Sequence, residues 1–186
     1  MLSNEKIIID TSPGEKRVAV LKNNRLANLF IERHHTPWLR GAIILAKVTA
    51  TRKELGASFL DLGTSSGYLE QRKISQSIDG ESLLVQVLND AYRKKSARVS
   101  SNICFKGKYL DLYPLMGSSS ISRKIKSKKK RGLLKQFIDE NVPKGIGVHI
   151  RAPFDVSDLL RMKALTLAQI QKWENIKEKI AKSRPP

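Results

Sequence analysis

The sequence predicts an α+β protein: a β-rich N-terminal half containing a small barrel, then a small α/β region and a long C-terminal amphipathic helix. Three observations predict it. Through roughly the first ninety residues, short β-rich runs alternate with turn residues. Beyond about residue 128, apolar residues recur at helical spacing. Between these two regimes the basic charge of the chain is concentrated.

Residues 7–10, 17–21 and 26–31 are brief β-rich runs, separated by Thr11-Ser12-Pro13-Gly14 and by Lys22-Asn23-Asn24. Pro-Gly and Asn-Asn are turn chemistry, so a meander of hairpins is expected. Residues 33–37 break the pattern. Further strand candidates follow at 42–51, 57–62 and 83–89, with a short piece at 67–69. Regular short strands with Gly-bearing turns suggest a small β-barrel. Alternation within 57–62 sets Phe59 on the face opposite Ser58 and Leu60, and Tyr68 comes soon after. No segment repeats at a fixed period.

After the basic stretch, Leu133, Leu134, Phe137 and Ile138 stand at helical spacing within residues 128–140, ended by Pro143. Residues 147–151 form a short strand candidate. From 157 to 182, Leu159, Met162, Leu165, Ile170, Trp173, Ile176 and Ile180 fall in one stripe about 140° wide at about 100° per residue. Asp155 and Asp158 stand at the start, and Lys177, Lys179 and Lys182 near the end, as the helix dipole prefers. Pro185-Pro186 stops the helix.

The 186 residues allow one domain or two small ones. Thirty-five basic residues against 17 acidic give a net charge of +18. Residues 92–131 hold thirteen Lys/Arg and one acid, Asp111, so this stretch carries +12 of that excess. Such concentration points to a polyanion, nucleic acid first, through counterion release at phosphates. Taken alone, the lysines of 126–131 read equally as a solvated loop. A single cysteine excludes a disulfide framework and a multi-cysteine zinc site, and a reducing, cytoplasmic setting is expected. No apolar run approaches the roughly 18 residues of a membrane span, and the first residues lack a signal-peptide apolar stretch. No membrane partner is expected.

Enzymatic constellations are sparse. His34 and His35 are adjacent, so their side chains diverge, and His149 is remote from both. No Cys or carboxylate stands at ligand spacing beside them, so no metal site is expected. Cys104, between Ile103 and Phe105, reads as a buried small hydrophobe. No Walker-type glycine loop is present, and Asp61 alone cannot assemble a two-metal site. On these residues the chain is a binder. An OB-type barrel holds single strands by stacking bases on aromatics while cations track the backbone. Phe59 and Tyr68 are either those platforms, with Lys95 the neighbouring cation, or core residues. Arg151 stands where the strand Gly-Val-His-Ile opens into Ala152-Pro153, which suits a guanidinium aimed at a phosphate or a surface arginine without a partner.

A family resemblance adds to this. Ile8-Ile9-Asp10-Thr11-Ser12, Glu15-Lys16-Arg17-Val18-Ala19-Val20, Ile31-Glu32-Arg33, Gly41-(x5)-Lys47-Val48 and Ala57-(x1)-Phe59-Leu60-Asp61-Leu62-Gly63 occur in that order. Leu84-Val85-Gln86-Val87, Lys94-Lys95-Ser96-Ala97-Arg98, Lys108-Tyr109-Leu110-Asp111-Leu112, Ile121-Ser122-Arg123-Lys124-Ile125, Gly147-Val148-His149-Ile150-Arg151 and Trp173-Glu174-Asn175-Ile176 continue it. The succession, from Lys6 to about Arg184, resembles the N-terminal part of the ribonuclease E/G family.

The resemblance implies the opening strands of a ribonuclease-H-like subdomain at 1–36, an OB-fold RNA-binding domain at 37–102 and a sensor-like α/β region with the C-terminal helix at 103–186. It does not extend to the family's deoxyribonuclease-like catalytic domain, where an Asp pair with an Asn holds magnesium, nor to its Cys-x-x-Cys zinc link. No catalytic residue, metal ligand or cofactor is therefore expected in this chain. Phe59 and Tyr68 match the two family aromatics that hold RNA, Lys95 an RNA-contacting lysine, and Arg123 the basic strip after the serine, with Arg98 and Lys124 as neighbouring cations. Gly107 and Arg151 match positions of the sensor for an RNA 5′ monophosphate. Ala152 replaces a threonine there, Asp111 replaces an apolar residue where an anion would repel the phosphate, and the loop after Tyr68 is short.

The leading expectation is an RNA-binding protein that grips single-stranded RNA without cleaving it. One alternative is a truncated or split endoribonuclease acting in RNA processing or decay with a separate catalytic part. The other is a ribosome-associated structural protein. A companion chain or self-association is expected to cover the apolar N-terminal strands.

Overall fold

The computed structural model describes residues 4–33, 38–70, 78–93, 95–152 and 154–186. His34 and His35, residues 33–37 as a break beyond Arg33, and most of the loop after Tyr68 thus lie outside the described residues. The chain divides into two compact units, Met1–Arg40 and Gly41–Pro186.

In the first unit, β1 (Glu5–Ser12), β2 (Glu15–Lys22) and β3 (Arg25–Arg33) form an antiparallel meander in that order. The turns are those their residues favour: Gly14 takes a φ of 98°, and Asn23 and Asn24 take 50° and 63°. Asparagine tolerates this left-handed region because its short amide bonds locally, and two such residues in succession match the twist of a tight hairpin. Register places Ile7, Ile9, Val18, Val20 and Phe30 on one face, and Ile8, Ala19, Leu21, Leu29 and Ile31 on the other. Both faces are therefore apolar, and Ile7 and Ile9 are 64% and 68% exposed. Glu15 is clamped by Arg17 and Arg33. The bond from Arg17 holds its carboxyl below the usual carboxylate range, with Arg33 assisting.

The second unit begins with β4 (Ile43–Arg52), β5 (Ala57–Asp61), β6 (Ser66–Glu70), β7 (Ser82–Asn89) and β8 (Ala97–Ser100). They close into a barrel in the order β4–β5–β6–β8–β7, with β6 and β8 parallel and the other pairs antiparallel. This is a five-stranded Greek-key barrel of OB type. Its interior holds Val48, Leu60, Leu69, Val85, Val87 and Val99, all buried. A bulge at Thr49, between Val48 and Ala50, bends β4 around the closing barrel.

Beyond the barrel, β9 (Leu110–Tyr113), β10 (Ser120–Ile121) and β11 (Gly147–Ile150) form a second small sheet, ordered β10–β11–β9. One face turns Leu110, Leu112, Val148 and Ile150 into a core shared with Leu134 and Phe137 of α1 (Lys128–Asn141) and Met162 and Trp173 of α2 (Leu159–Ala181). The barrel and this sheet are joined through Gln86 of β7. Its amide donates to the carbonyls of Gly41 and Cys104 at 3.3 and 3.2 Å, and its oxygen accepts from the Cys104 N–H at 2.9 Å.

The α+β architecture agrees with the sequence reading, with two differences of detail. The strands β8, β9 and β10 have two to four residues, too short for any periodicity to show. On α2, Leu165 is 45% exposed although the stripe included it, and Thr166 is fully buried instead. Met162, Thr166 and Trp173 lie within about 40° of one another around the helix, and Leu165 falls about 60° to the far side of Met162. Thr166 enters the core at little cost because its hydroxyl donates to the Met162 carbonyl at 2.8 Å. The lysines near 128 are helical: the Ser127 hydroxyl accepts from the Lys130 N–H and caps α1. No helix among the described residues is long and apolar enough to cross a membrane.

Candidate nucleic-acid interface

The outer face of the barrel is built by register. Phe59 of β5 stands opposite Tyr68 of β6, and Tyr68 stands beside Arg98 of the parallel strand β8. Their strand neighbours Ser58, Leu60, Gly67, Leu69, Ala97 and Val99 are buried, so all three side chains point away from the core. The rings of Phe59 and Tyr68 meet edge to face, with centroids 5.8 Å apart at 68°. Each is half-buried, propped by the other and not by the barrel interior. The result is a row of aromatic, aromatic and cation across three adjacent strands. The row is not uniformly basic: Arg98 donates to Glu70 at 2.8 Å. Such an exposed pair contributes only about 0–1 kcal/mol, so the guanidinium can exchange that carboxylate for a phosphate.

Lys95 is exposed and stands three residues before Arg98, in the hairpin between β7 and β8. Tyr92 and Lys95 exchange two backbone hydrogen bonds, 3.1 and 3.0 Å, closing the tip of the hairpin between β7 and β8. The hydroxyls of Ser96 and Ser66 lie 2.8 Å apart and tie this hairpin to the start of β6, two residues before Tyr68. At the tip, Tyr92 is 66% exposed, and the Arg93 guanidinium sits 5.2 Å from its ring centroid. Arg93 has a φ of 52°.

The basic strip divides into structural and exposed cations. Arg131 donates to the carbonyls of Ser122 and Ile125, which holds the turn into α1, and Lys130 lies 4.0 Å from Asp155. Arg123 and Lys124 are exposed, as are Lys126, Lys128 and Lys129.

Gly107 and Arg151 converge on one group, and that group belongs to the protein. The Asp111 carboxylate accepts from the Gly107 N–H at 3.2 Å through one oxygen and from Arg151 Nε at 3.0 Å through the other. Asp111 is buried, whereas Arg151 is exposed. Gly107 is required here: a Cβ would come within 2.5 Å of the Leu110 carbonyl and 2.9 Å of Gln169 Nε2. An internal carboxylate thus occupies the anion-holding groups that the sequence assigned to a phosphate.

The remaining reactive side chains lie along the polar face of the same sheet. Ser120 Oγ and His149 Nδ1 are 2.8 Å apart. Cys104 is partly buried; burial pushes its thiol up, against a hydrogen bond with Tyr113. Burial first, and then Cys104, push the Tyr113 phenol up to about 12. Among the described residues no three His, Cys, Asp or Glu side chains come together as metal ligands.

Sequence reasoning missed Glu70, Tyr92 and the role of Arg131. Glu70 lies beyond the 67–69 segment read as a strand, and Tyr92 becomes visible only once Ala97–Ser100 is recognised as a strand that makes its segment a hairpin tip.

The Ribonuclease E/G family profile matches residues 104–186. Ribonuclease G of Escherichia coli (strain K12) is 26% identical over 168 residues, covering 78% of this chain and 34% of that protein. Ribonuclease E of Haemophilus influenzae is 25% identical over 199 residues, covering 96% of this chain and 21% of that protein. Ribonuclease E of Escherichia coli (strain K12) is 26% identical, with 96% and 19% covered. The chain thus spans about a third of the length of the ribonuclease G relatives and about a fifth of the ribonuclease E relatives. The chain is thus similar to the ribonuclease E/G family, by the profile over residues 104–186 and by these relatives, at 25–26% identity, over most of its length.

Proposed function

We propose that this chain grips single-stranded RNA across the outer face of its barrel, as the RNA-holding part of a ribonuclease E/G-type protein in RNA processing or decay. The observation that carries this reading is the row Phe59, Tyr68 and Arg98 on adjacent strands of an OB-type barrel. Base stacking on such rings is tolerant of sequence, and the cations beside them track the backbone. Lys95, Arg123 and Lys124 extend the cationic surface available to that strand.

The 5′ end is treated differently. With Asp111 already bonded to Gly107 and Arg151, a terminal phosphate meets a carboxylate and not an open pair of donors. The protein therefore holds the body of an RNA strand and is indifferent to its 5′ phosphate.

Filter binding of a single-stranded RNA at several salt concentrations tests both statements. Affinity is expected to fall as salt rises. Phe59→Ala is expected to weaken binding by about 1–3 kcal/mol with the melting temperature nearly unchanged, and 5′-phosphorylated and 5′-hydroxyl strands are expected to bind alike. Absence of binding at low salt, or affinity indifferent to salt, sinks the reading. Unfolding of the Phe59→Ala protein would return that ring to a core role.

A further inference from the structure

We propose that Tyr92, backed by Arg93, is a third base-stacking platform, carried on the hairpin between β7 and β8. The inference rests on the single-strand reading of the barrel face and lengthens it beyond Phe59 and Tyr68.

Four observations carry it. First, position: in an OB barrel the connection between the fourth and fifth strands lies beside the binding face, and β7 and β8 are those strands. The Ser66–Ser96 contact pins this hairpin next to the strand that bears Tyr68. Second, exposure: Tyr92 projects a ring that is two-thirds accessible, unlike the half-buried Phe59 and Tyr68. Third, preparation: the Arg93 guanidinium sits over that ring, 5.2 Å from its centroid. A ring held this way loses little rotamer freedom on binding, and the cation beside it is placed for the adjoining phosphate.

Fourth, backbone. Arg93 occupies the left-handed region that a β-carbon disfavours. At the β2–β3 turn this chain meets the same requirement with Asn23 and Asn24, which tolerate it. At the β7–β8 turn it places an arginine there, followed in sequence by Lys94 and Lys95, with no acid from Ala91 to Arg98. Strain of this kind gathers at binding sites because a side chain is needed where glycine would fold more easily. An exposed aromatic ring with the Arg93 guanidinium over it and Lys95 bonded to its backbone fits an unpaired nucleotide strand, which supplies rings and phosphates together.

Fluorescence anisotropy with oligouridines of about four and about twelve nucleotides, spanning the range of OB site sizes, tests the proposal. Tyr92→Ala is expected to lose about tenfold in affinity for the longer strand and nothing for the shorter. Tyr92→Phe keeps the ring and is expected to bind both like the wild type. Arg93→Gly, which removes the guanidinium and suits the left-handed backbone, is expected to weaken the longer strand while the melting temperature holds or rises. Crosslinking of 4-thiouridine-containing RNA is expected to mark Tyr92.

If Tyr92→Ala binds the longer strand like the wild type while Phe59→Ala does not, the third platform is wrong and the barrel-face reading stands. Equal losses on both lengths with a lowered melting temperature would make Tyr92 a structural residue and also overturn the proposal. Should the wild type bind neither strand, the barrel-face reading fails and this inference falls with it.

Discussion

Two regions of the second unit present an arginine at the surface, and they differ in what faces it. On the barrel, Arg98 pairs with Glu70, the side chains 56% and 37% exposed. On the small sheet, Arg151 pairs with a carboxylate that is itself buried and also held by a backbone N–H. The first arrangement opens readily, because water can replace either partner. The second is closed: removing Asp111 from its donors strands a charge in a poorly solvated place. A cation near a strand end is thus no measure of anion binding until its internal partner is known.

That contrast can be broken most directly by removing the arginines. Arg151→Ala is expected to destabilise the fold by about 1–3 kcal/mol, because the buried Asp111 carboxylate loses its charged donor. Arg98→Ala, at an exposed pair, is expected to cost less than about 1 kcal/mol. Urea midpoints of the two variants check this, and equal costs would erase the distinction.

A smaller effect sharpens it. Asp111→Asn keeps an oxygen for the Gly107 N–H and releases the Arg151 guanidinium. This variant is expected to favour 5′-phosphorylated over 5′-hydroxyl RNA by roughly threefold to tenfold, about the contribution of one charge-assisted bond, and the wild type is expected to bind the two alike. No gain would mean that the self-pairing is not what closes the site.

The smallest effect is invisible at neutral pH. The folded state keeps the Tyr113 phenol protonated up to about 12, whereas an unfolded tyrosine ionises near 10. Its contribution to stability is therefore complete below about pH 10 and lost as pH rises toward 12. Tyr113→Phe is expected to match the wild type at pH 7 and to lose less stability across that alkaline window, measured by chemical denaturation. Parallel loss in both proteins would show that Tyr113 does not govern the polar face of the sheet.

Much of this was legible in the sequence, for identifiable reasons. Pro13-Gly14 and Asn23-Asn24 announce their turns by backbone chemistry, so the first meander could be drawn residue by residue. Alternation in β5 put Phe59 opposite Ser58 and Leu60, as the structure has it. What stayed hidden depends on pairing across the chain. Ala97–Ser100 is a strand because β6 and β7 flank it, not because Ala-Arg-Val-Ser looks like one. Asp111 reads as an anion that would repel a phosphate; only its two hydrogen bonds, one from a residue forty positions away, show that it holds Gly107 and Arg151 itself. Thr166 replaces Leu165 in the core because a hydroxyl that is satisfied within its own helix counts as apolar to its neighbours.

Gln86 has a mechanical consequence. One side chain, rooted in the barrel, grips the backbone at Gly41 and Cys104 with three hydrogen bonds, so a Gln86 variant would slacken the entrance to the barrel and the path out of it together.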